Sequence, residues 1–255
     1  MAFSPGLSYT FSMNTNIFQI TIPELRFPLY SVIVMGGILA GVIMACLIMY
    51  RSGLNRNTII YTALLCFVCI TTFGLFLPTD PFVYNKSLGF TGAGGALGLL
   101  IGAFISLFIH RDHEKEMFAA WVICAPLMYG LSKIACHVTG CCSGIEYRGF
   151  ANISYHGEDG RFPVQLSESV IFVIIFIVGL IYFIKTGKSL VTSRIVVALS
   201  VVAKFGMDYL RESHYTSSGF ISNNQVLAIV CGIFAITLTE LTDRVLFKPG
   251  KVKKN

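Results

Sequence analysis

The side chains with the widest choice of chemistry lie between Lys133 and Gln165, a polar stretch inside an otherwise hydrophobic sequence. This stretch contains Cys136, followed directly by a histidine, and the adjacent pair Cys141 and Cys142. Polar groups without partners are costly to bury in hydrocarbon, so the stretch must line an aqueous pocket or lie at a membrane surface. It is therefore the first place to look for a functional site.

Four hypotheses compete for the cysteines. A zinc site would take its four ligands from a run of seven residues, as Cys136, His137, Cys141 and Cys142. Adjacent residues rarely direct their side chains at the same metal ion. We therefore expect no metal and no cofactor. A thiol oxidoreductase would use Cys141 and Cys142 as its redox pair. The remaining two are a cysteine nucleophile activated by His137 and a structural disulfide.

A second group of candidates is charged. Lys204, Asp208 and Arg211 follow an i, i+4, i+7 spacing and so share one face of a helix. They form either an ion-paired cluster at the outer interface or a cationic site in which Arg211 binds an anion. Arg161, four residues before Gln165, precedes another apolar segment, where its guanidinium would suit a phosphate, a carboxylate or a lipid headgroup.

Glycines concentrate at the start of the third apolar segment. Gly98 and Gly102 have the four-residue spacing that lets membrane helices approach closely, so we assign them to packing. Gly94 and Gly95 could instead allow the backbone to approach a ligand. Both interpretations stay open for this pair.

Composition defines the class of protein. The 255-residue chain is 55% hydrophobic and 13% charged, which is typical of a membrane protein and leaves no room for a large soluble domain. Its net charge of +6 comes largely from basic residues in alternate loops and the C-terminal tail, as the positive-inside rule predicts. Nucleic-acid binding therefore has little support.

The apolar segments predict an all-α, polytopic membrane protein with about seven transmembrane helices. The predicted spans are Phe27–Tyr50, Thr58–Leu77, Phe90–Ile109, Phe118–Ala135, Leu166–Ile184, Leu190–Leu210 and Asn224–Phe247. Placing the basic loops in the cytoplasm puts the N-terminus outside and the C-terminus inside. Residues 1–255 then form a single transmembrane domain with an extracytoplasmic polar segment at 133–165.

Four ordered motifs together resemble the bacterial prolipoprotein diacylglyceryl transferases. Gly130–Gly144 is similar to the family signature G-R-x-G-N-F-x-N-G-E-x-x-G, and closer to a divergent branch with G-R-x-G-C-F-x-x-G-C-C-Y-G. Arg161–Glu168 resembles R-H-P-x-Q-L-Y-E, and Lys204–Glu212 resembles R-F-x-x-E-x-x-R-E. Ser222–Gln225 resembles the S-x-x-Q that opens the last span.

The resemblance implies an enzyme of the bacterial plasma membrane. Such an enzyme moves a diacylglyceryl group from phosphatidylglycerol to the thiol of a lipoprotein precursor, or of another acceptor, and releases glycerol phosphate. The implied catalytic residues are Arg211, Arg161, Lys133, His137 and Glu212. The implied substrate-binding residues are Gly94, Gly95, Cys136, Cys141, Gly144, Gln165, Asp208 and Gln225.

The chain departs from the family pattern mainly in acid–base residues. The family's H-G-G becomes Ala93-Gly94-Gly95, which removes a histidine proposed as a base. The family's I-R-W-Y-G motif becomes Leu25-Arg26-Phe27-Pro28-Leu29, which loses the tyrosine. Tyr30 is nearby but out of register with that motif. Lys133 replaces the signature arginine, and Cys136 and Cys141 replace the asparagine and glutamate. On this pattern His137 is the substitute base.

Three functions remain open at this stage. A phospholipid-dependent transferase is favoured, because it explains the arginine motifs as well as the cysteines. A membrane thiol oxidoreductase using Cys141 and Cys142 is the second. A lipid-binding protein of the same fold that has lost catalysis is the third.

Overall fold

The computed structural model describes residues 9–12, 19–22, 28–76, 90–109, 113–147, 149, 153–155, 158–216 and 221–244. Within them the helices are α1 Pro28–Arg51, α2 Arg56–Phe76, α3 Gly92–Ile109, α4 Glu114–Thr139, α5 Val164–Thr186, α6 Ser189–Asp208, α7 Glu212–Thr216 and α8 Asn223–Arg244. All but the short α7 are long and apolar enough to cross a membrane. The predicted seven-span helical architecture is confirmed, whereas the side on which each terminus lies stays a prediction.

Most helices match the predicted spans to within two or three residues, but α4 is longer at both ends. It runs from Glu114 to Thr139 instead of Phe118–Ala135 and ends at Gly140, which has a φ of 68°. The N–H of Gly140 caps the carbonyls of the last turn. The first residues of the polar segment 133–165 are therefore helical and not loop, because their side chains find partners on neighbouring helices.

Helix α4 forms the centre of the bundle. About two thirds of its span is buried, against half or less of every other span. Its Met117, Phe118 and Trp121 are completely buried, and α1, α3, α5 and α6 all pack against it. The side chains near the C-terminal end of α4 therefore face several helices at once.

Glycines allow α2 and α3 to pack closely. A Cβ atom on Gly94 would lie 2.3 Å from the carbonyl oxygen of Phe73 in α2, closer than any real contact. A Cβ on Gly95 would lie 3.0 Å from the ring of Phe90. Close packing of α2 on α3 accounts for Gly94, and the substrate-binding role of Gly94 and Gly95 stays a prediction.

A small antiparallel sheet accompanies the helices, which the sequence prediction did not include. Its strands are β1 Tyr9–Ser12, β2 Gln19–Ile22, β3 Ile153–Tyr155 and β4 Glu158–Arg161, in the order β2-β1-β3-β4. Strand β4 leads through two residues into α5. The sheet therefore holds Arg161 at the entrance of that helix.

The α2–α3 contact can be tested at Gly98, where an added Cβ would lie 2.3 Å from the carbonyl oxygen of Cys69. We expect Gly98→Ala to lower the free energy of unfolding in detergent by about 1–3 kcal/mol, because the backbones must separate. Gly36→Ala in α1 is the matched control, since nothing lies within 4 Å of its new Cβ. Equal stability of the two variants would contradict close packing of α2 on α3.

Candidate active site

The site is built around the carboxylate of Glu168, which lies in α5 and is completely buried. Its Oε1 accepts a hydrogen bond from Nζ of Lys204 at 2.9 Å. Its Oε2 lies 3.3 Å from Nζ of Lys133 and accepts a hydrogen bond from Nη2 of Arg211. Three cations supplied by α4, α6 and the chain after α6 therefore converge on one acid.

Tyr129 completes the surroundings of this carboxylate. Its hydroxyl donates to Oε2 of Glu168 at 3.4 Å. The ammonium groups of Lys133 and Lys204 lie 4.9 Å and 5.3 Å from the centre of its ring, within range of a cation–π interaction. Tyr129 and Lys133 are four residues apart on α4, so one helix face supplies both.

The second buried acid, Asp208, ends α6 and is also completely buried. It accepts a hydrogen bond from the hydroxyl of Ser222, and its Oδ2 lies 3.2 Å from Nδ1 of His214. Gln225 accepts a hydrogen bond from the N–H of Ser222 at 3.1 Å and donates to the carbonyl of Phe205 at 3.2 Å. These contacts fasten the beginning of α8 to the end of α6.

Arg211 lies between the two acids. Burial alone would lower the pKa of its guanidinium, but the Glu168 carboxylate outweighs burial and raises that pKa, so the group stays charged. Its Nε is 4.0 Å from Oδ1 of Asp208, and neither atom has a hydrogen-bond partner among the described residues. Arg211 thus keeps a buried donor that a bound anion or water could use.

The formal charge of this group is positive. It contains the three cations Lys133, Lys204 and Arg211 and the two acids Glu168 and Asp208, which leaves one positive charge when His214 is neutral. A buried charge without a counter-charge is costly, so the group favours an anionic ligand. We call these five residues the cation cluster.

Arg161 belongs to a neighbouring set of contacts. Its Nη1 lies 3.1 Å from Oε1 of Glu212 and donates to the carbonyl of Gly144 at 3.4 Å. The hydroxyl of Ser143 donates to Glu212 at 2.9 Å, and this bond, with the charge of Arg161, lowers the pKa of Glu212. The two arginines of the predicted site, Arg161 and Arg211, therefore contact different carboxylates.

The chain at Gly144 joins these two sets of contacts. Its backbone pairs with that of Arg211, and Glu146 pairs with Arg161. A Cβ on Gly144 would lie 2.2 Å from the carbonyl oxygen of Phe162, so only glycine fits this close approach. Gly144 thus shapes the site through its backbone.

The three cysteines of the polar segment meet in space. The sulfurs of Cys136, Cys141 and Cys142 lie within 4.8 Å of one another, and all three thiols are free. Thiol hydrogen bonds from Cys136 and Cys141 lower the pKa of Cys142, and the charge of Lys133 adds to this effect. Nε2 of Gln165 donates to the carbonyls of Cys141 and Cys142 at 2.7 Å and 2.8 Å.

His137 and Tyr30 have unexpected positions relative to these sulfurs. His137 is half-buried and is not part of the three-sulfur group. Tyr30, which the sequence places out of register, lies near Lys133 and the three cysteines. Helix α1 therefore contributes a phenol to the site, whereas the proposed base lies outside the sulfur group.

Several site residues were not assigned a role from sequence: Tyr30, Tyr129, Glu168, His214 and Ser222. An acid inside an apolar span is expensive unless it has a function, and this signal alone could have identified Glu168. Lys204, by contrast, was already among the charged candidates identified from the sequence. Tyrosine and serine carry no comparable signal, because both are common in membrane helices and loops.

The chain matches one family of known proteins. A sequence model of the prolipoprotein diacylglyceryl transferase family matches residues 16–240, most of the chain, including every residue of the site described above. No curated protein matches it.

Removal of the central carboxylate tests the cation cluster. We expect Glu168→Gln to lower the free energy of unfolding by about 3–5 kcal/mol, because the buried Lys133 and Arg211 and the half-buried Lys204 lose their shared counter-charge. The control is Glu240→Gln, which breaks the 2.8 Å contact to Arg194 between side chains that are each about one third exposed, and should cost only about 0–1 kcal/mol. Thermal and denaturant unfolding in detergent would measure both, and equal losses would contradict a central role for Glu168.

Proposed function

This chain belongs to the prolipoprotein diacylglyceryl transferase family, and we propose that it transfers a diacylglyceryl group from phosphatidylglycerol to the thiol of a lipoprotein precursor or a related acceptor. It is a multi-pass membrane protein of a transferase family. We place its activity in the bacterial plasma membrane, where both the lipid donor and the lipoprotein precursor would be present.

The observation that carries this proposal is the surplus positive charge of the cation cluster. A phosphatidylglycerol phosphodiester has one negative charge, which matches the formal surplus left by three cations and two acids. Charges interact more strongly in a buried, poorly solvated site than in water. Arg211 is the side chain best suited to the phosphate, because it is the one guanidinium among the three cations of the cluster and offers a planar donor fork.

In the proposed reaction the acceptor sulfur, as a thiolate, attacks the carbon of the diacylglyceryl group that is bonded to the phosphate oxygen. A carbon–sulfur bond forms and the carbon–oxygen bond to phosphate breaks, so its electron pair leaves on glycerol phosphate. Negative charge grows on the leaving phosphate, and preorganised cations stabilise that charge selectively in the transition state. The thiol proton must leave first, and His137 stays a candidate base for it.

We infer supporting roles for the neighbouring contacts. Arg161, held by Glu212 and the Gly144 carbonyl, would offer a second cation to the departing headgroup. Gln225 would act indirectly by fixing Ser222 beside Asp208.

A thiol oxidoreductase is the second candidate, favoured by the proximity of the three sulfurs. It would form a disulfide involving Cys141 or Cys142 during turnover and would need no phospholipid. A lipid-binding protein without catalysis would retain phosphatidylglycerol and release no product.

The transferase proposal predicts that Arg211→Lys slows transfer by about 10²–10³-fold, because the lysine loses the planar fork while keeping its charge. The assay uses full-length protein in lipid nanodiscs, labelled phosphatidylglycerol and a cysteine-containing lipobox peptide, with the thioether product measured by mass spectrometry. Arg194→Gln, at the opposite end of α6, should transfer at the wild-type rate.

Two results would overturn the proposal. One is transfer by Arg211→Lys at the wild-type rate. The other is a wild-type protein that forms no thioether from phosphatidylglycerol, which needs no variant and so does not depend on how well Arg211→Lys folds. Disulfide turnover without lipid would then favour the oxidoreductase.

A further inference from the structure

The three clustered cysteines have the geometry of metal ligands. Their sulfurs lie within 4.8 Å of one another. Thiolates bound to one tetrahedral zinc at about 2.3 Å each lie about 3.8 Å apart, so small side-chain adjustments would bring all three onto one ion. Two of the three residues, Cys141 and Cys142, are exposed and could admit the ion.

The end of α4 explains how cysteines so close in sequence can bind the same metal ion. Gly140 ends the helix in the left-handed conformation, and the N–H of Cys141 then bonds back to the carbonyl of Cys136 at 3.1 Å. Cys142 also has a positive φ of 63°. This second reversal of the backbone lets the side chains of Cys141 and Cys142 point to the same place. Their adjacency in sequence is therefore no obstacle to binding one metal ion.

Other side chains hold this arrangement in place. The hydroxyl of Thr139 donates to the sulfur of Cys141 at 3.5 Å. Gln165, which is completely buried, fixes the carbonyls of Cys141 and Cys142 through its amide. Hydrogen bonds of this kind orient the ligands in metal sites.

The surroundings also suit the charge of a metal–thiolate group. Three thiolates and a zinc ion carry one negative charge in total. Lys133 and Arg211 are close enough for their charges to act on Cys142. The metal–thiolate group would therefore be a partly exposed anion, in contact with water at Cys141 and Cys142 and with two cations nearby, so it does not need the whole positive surplus of the cation cluster.

We propose that Cys136, Cys141 and Cys142 bind one zinc ion as thiolates and leave its fourth position open for the acceptor thiol. Structural zinc sites use four protein ligands, whereas sites with three keep a position for substrate. The role of the open position in binding the acceptor thiol rests on the proposed transfer reaction. On coordination the acceptor thiol loses its proton to water at the exposed face of the cluster, and the bound thiolate then forms the carbon–sulfur bond as glycerol phosphate leaves.

The first measurement is metal content. Full-length protein purified with reductant and supplied with zinc should contain about one zinc per chain by mass spectrometry. Cys141→Ser and Cys142→Ser should each weaken zinc binding at least tenfold in competition with a chelator. Cys231→Ser in α8 is the control and should bind like the wild type, because it is outside the three-sulfur group. X-ray absorption at the zinc edge of the wild type should show three sulfur neighbours, and this readout does not depend on any variant.

The second measurement tests the open position without any lipid. Cobalt(II) replaces zinc, and the visible spectrum should show thiolate-to-metal charge transfer. Addition of a lipobox peptide with cysteine should shift that spectrum, whereas the same peptide with serine should leave it unchanged.

Several outcomes would overturn the inference: no bound zinc, zinc unaffected by the cysteine variants, a disulfide that persists with reductant, or equal responses to the two peptides. These results are separable from failure of the proposed function. A protein that transfers normally without metal keeps the transferase proposal and loses the zinc site. A protein that binds zinc and the cysteine peptide but transfers nothing loses only the transferase proposal.

Discussion

The ion pairs of Glu168 hold together the C-terminal ends of α4 and α6 and the N-terminal end of α5. A carboxylate with no exposed surface cannot be solvated by water, so it needs cations, and Lys133, Lys204 and Arg211 supply them. Those cations would in turn repel one another without it. Because the groups come from α4, α5 and the α6 end, their mutual dependence fixes how these elements meet.

The first turns of α5 connect the two halves of the site. Gln165 and Glu168 are three residues apart and so lie on the same helix face. Glu168 holds the cations, while Gln165 holds the carbonyls of Cys141 and Cys142. On α4, Lys133 and Cys136 have the same spacing. The cation cluster and the three clustered cysteines are therefore positioned by the same two helices, α4 and α5.

The rest of the bundle supports this arrangement. Helix α4 is buried along most of its length, so its C-terminal end cannot move without disturbing the helices packed against it, α1, α3, α5 and α6. Glycines bring α2 and α3 into backbone contact. Rigid surroundings of this kind keep charged groups preorganised, which is the main way in which a protein stabilises a developing charge.

The sequence alone determined the seven helical spans, because hydrophobic length is a local property that needs no knowledge of contacts. It also identified Arg161, Arg211 and the cysteines through their order and spacing. Only the tertiary structure decided their partners. Arg211 contacts Glu168, 43 residues earlier, and β1 pairs with β3 across most of the chain. The convergence of Cys141 and Cys142 depends on two left-handed residues, Gly140 and Cys142. The pairings of Arg211 with Glu168 and of β1 with β3 join segments that are distant in sequence, so no local pattern encodes them.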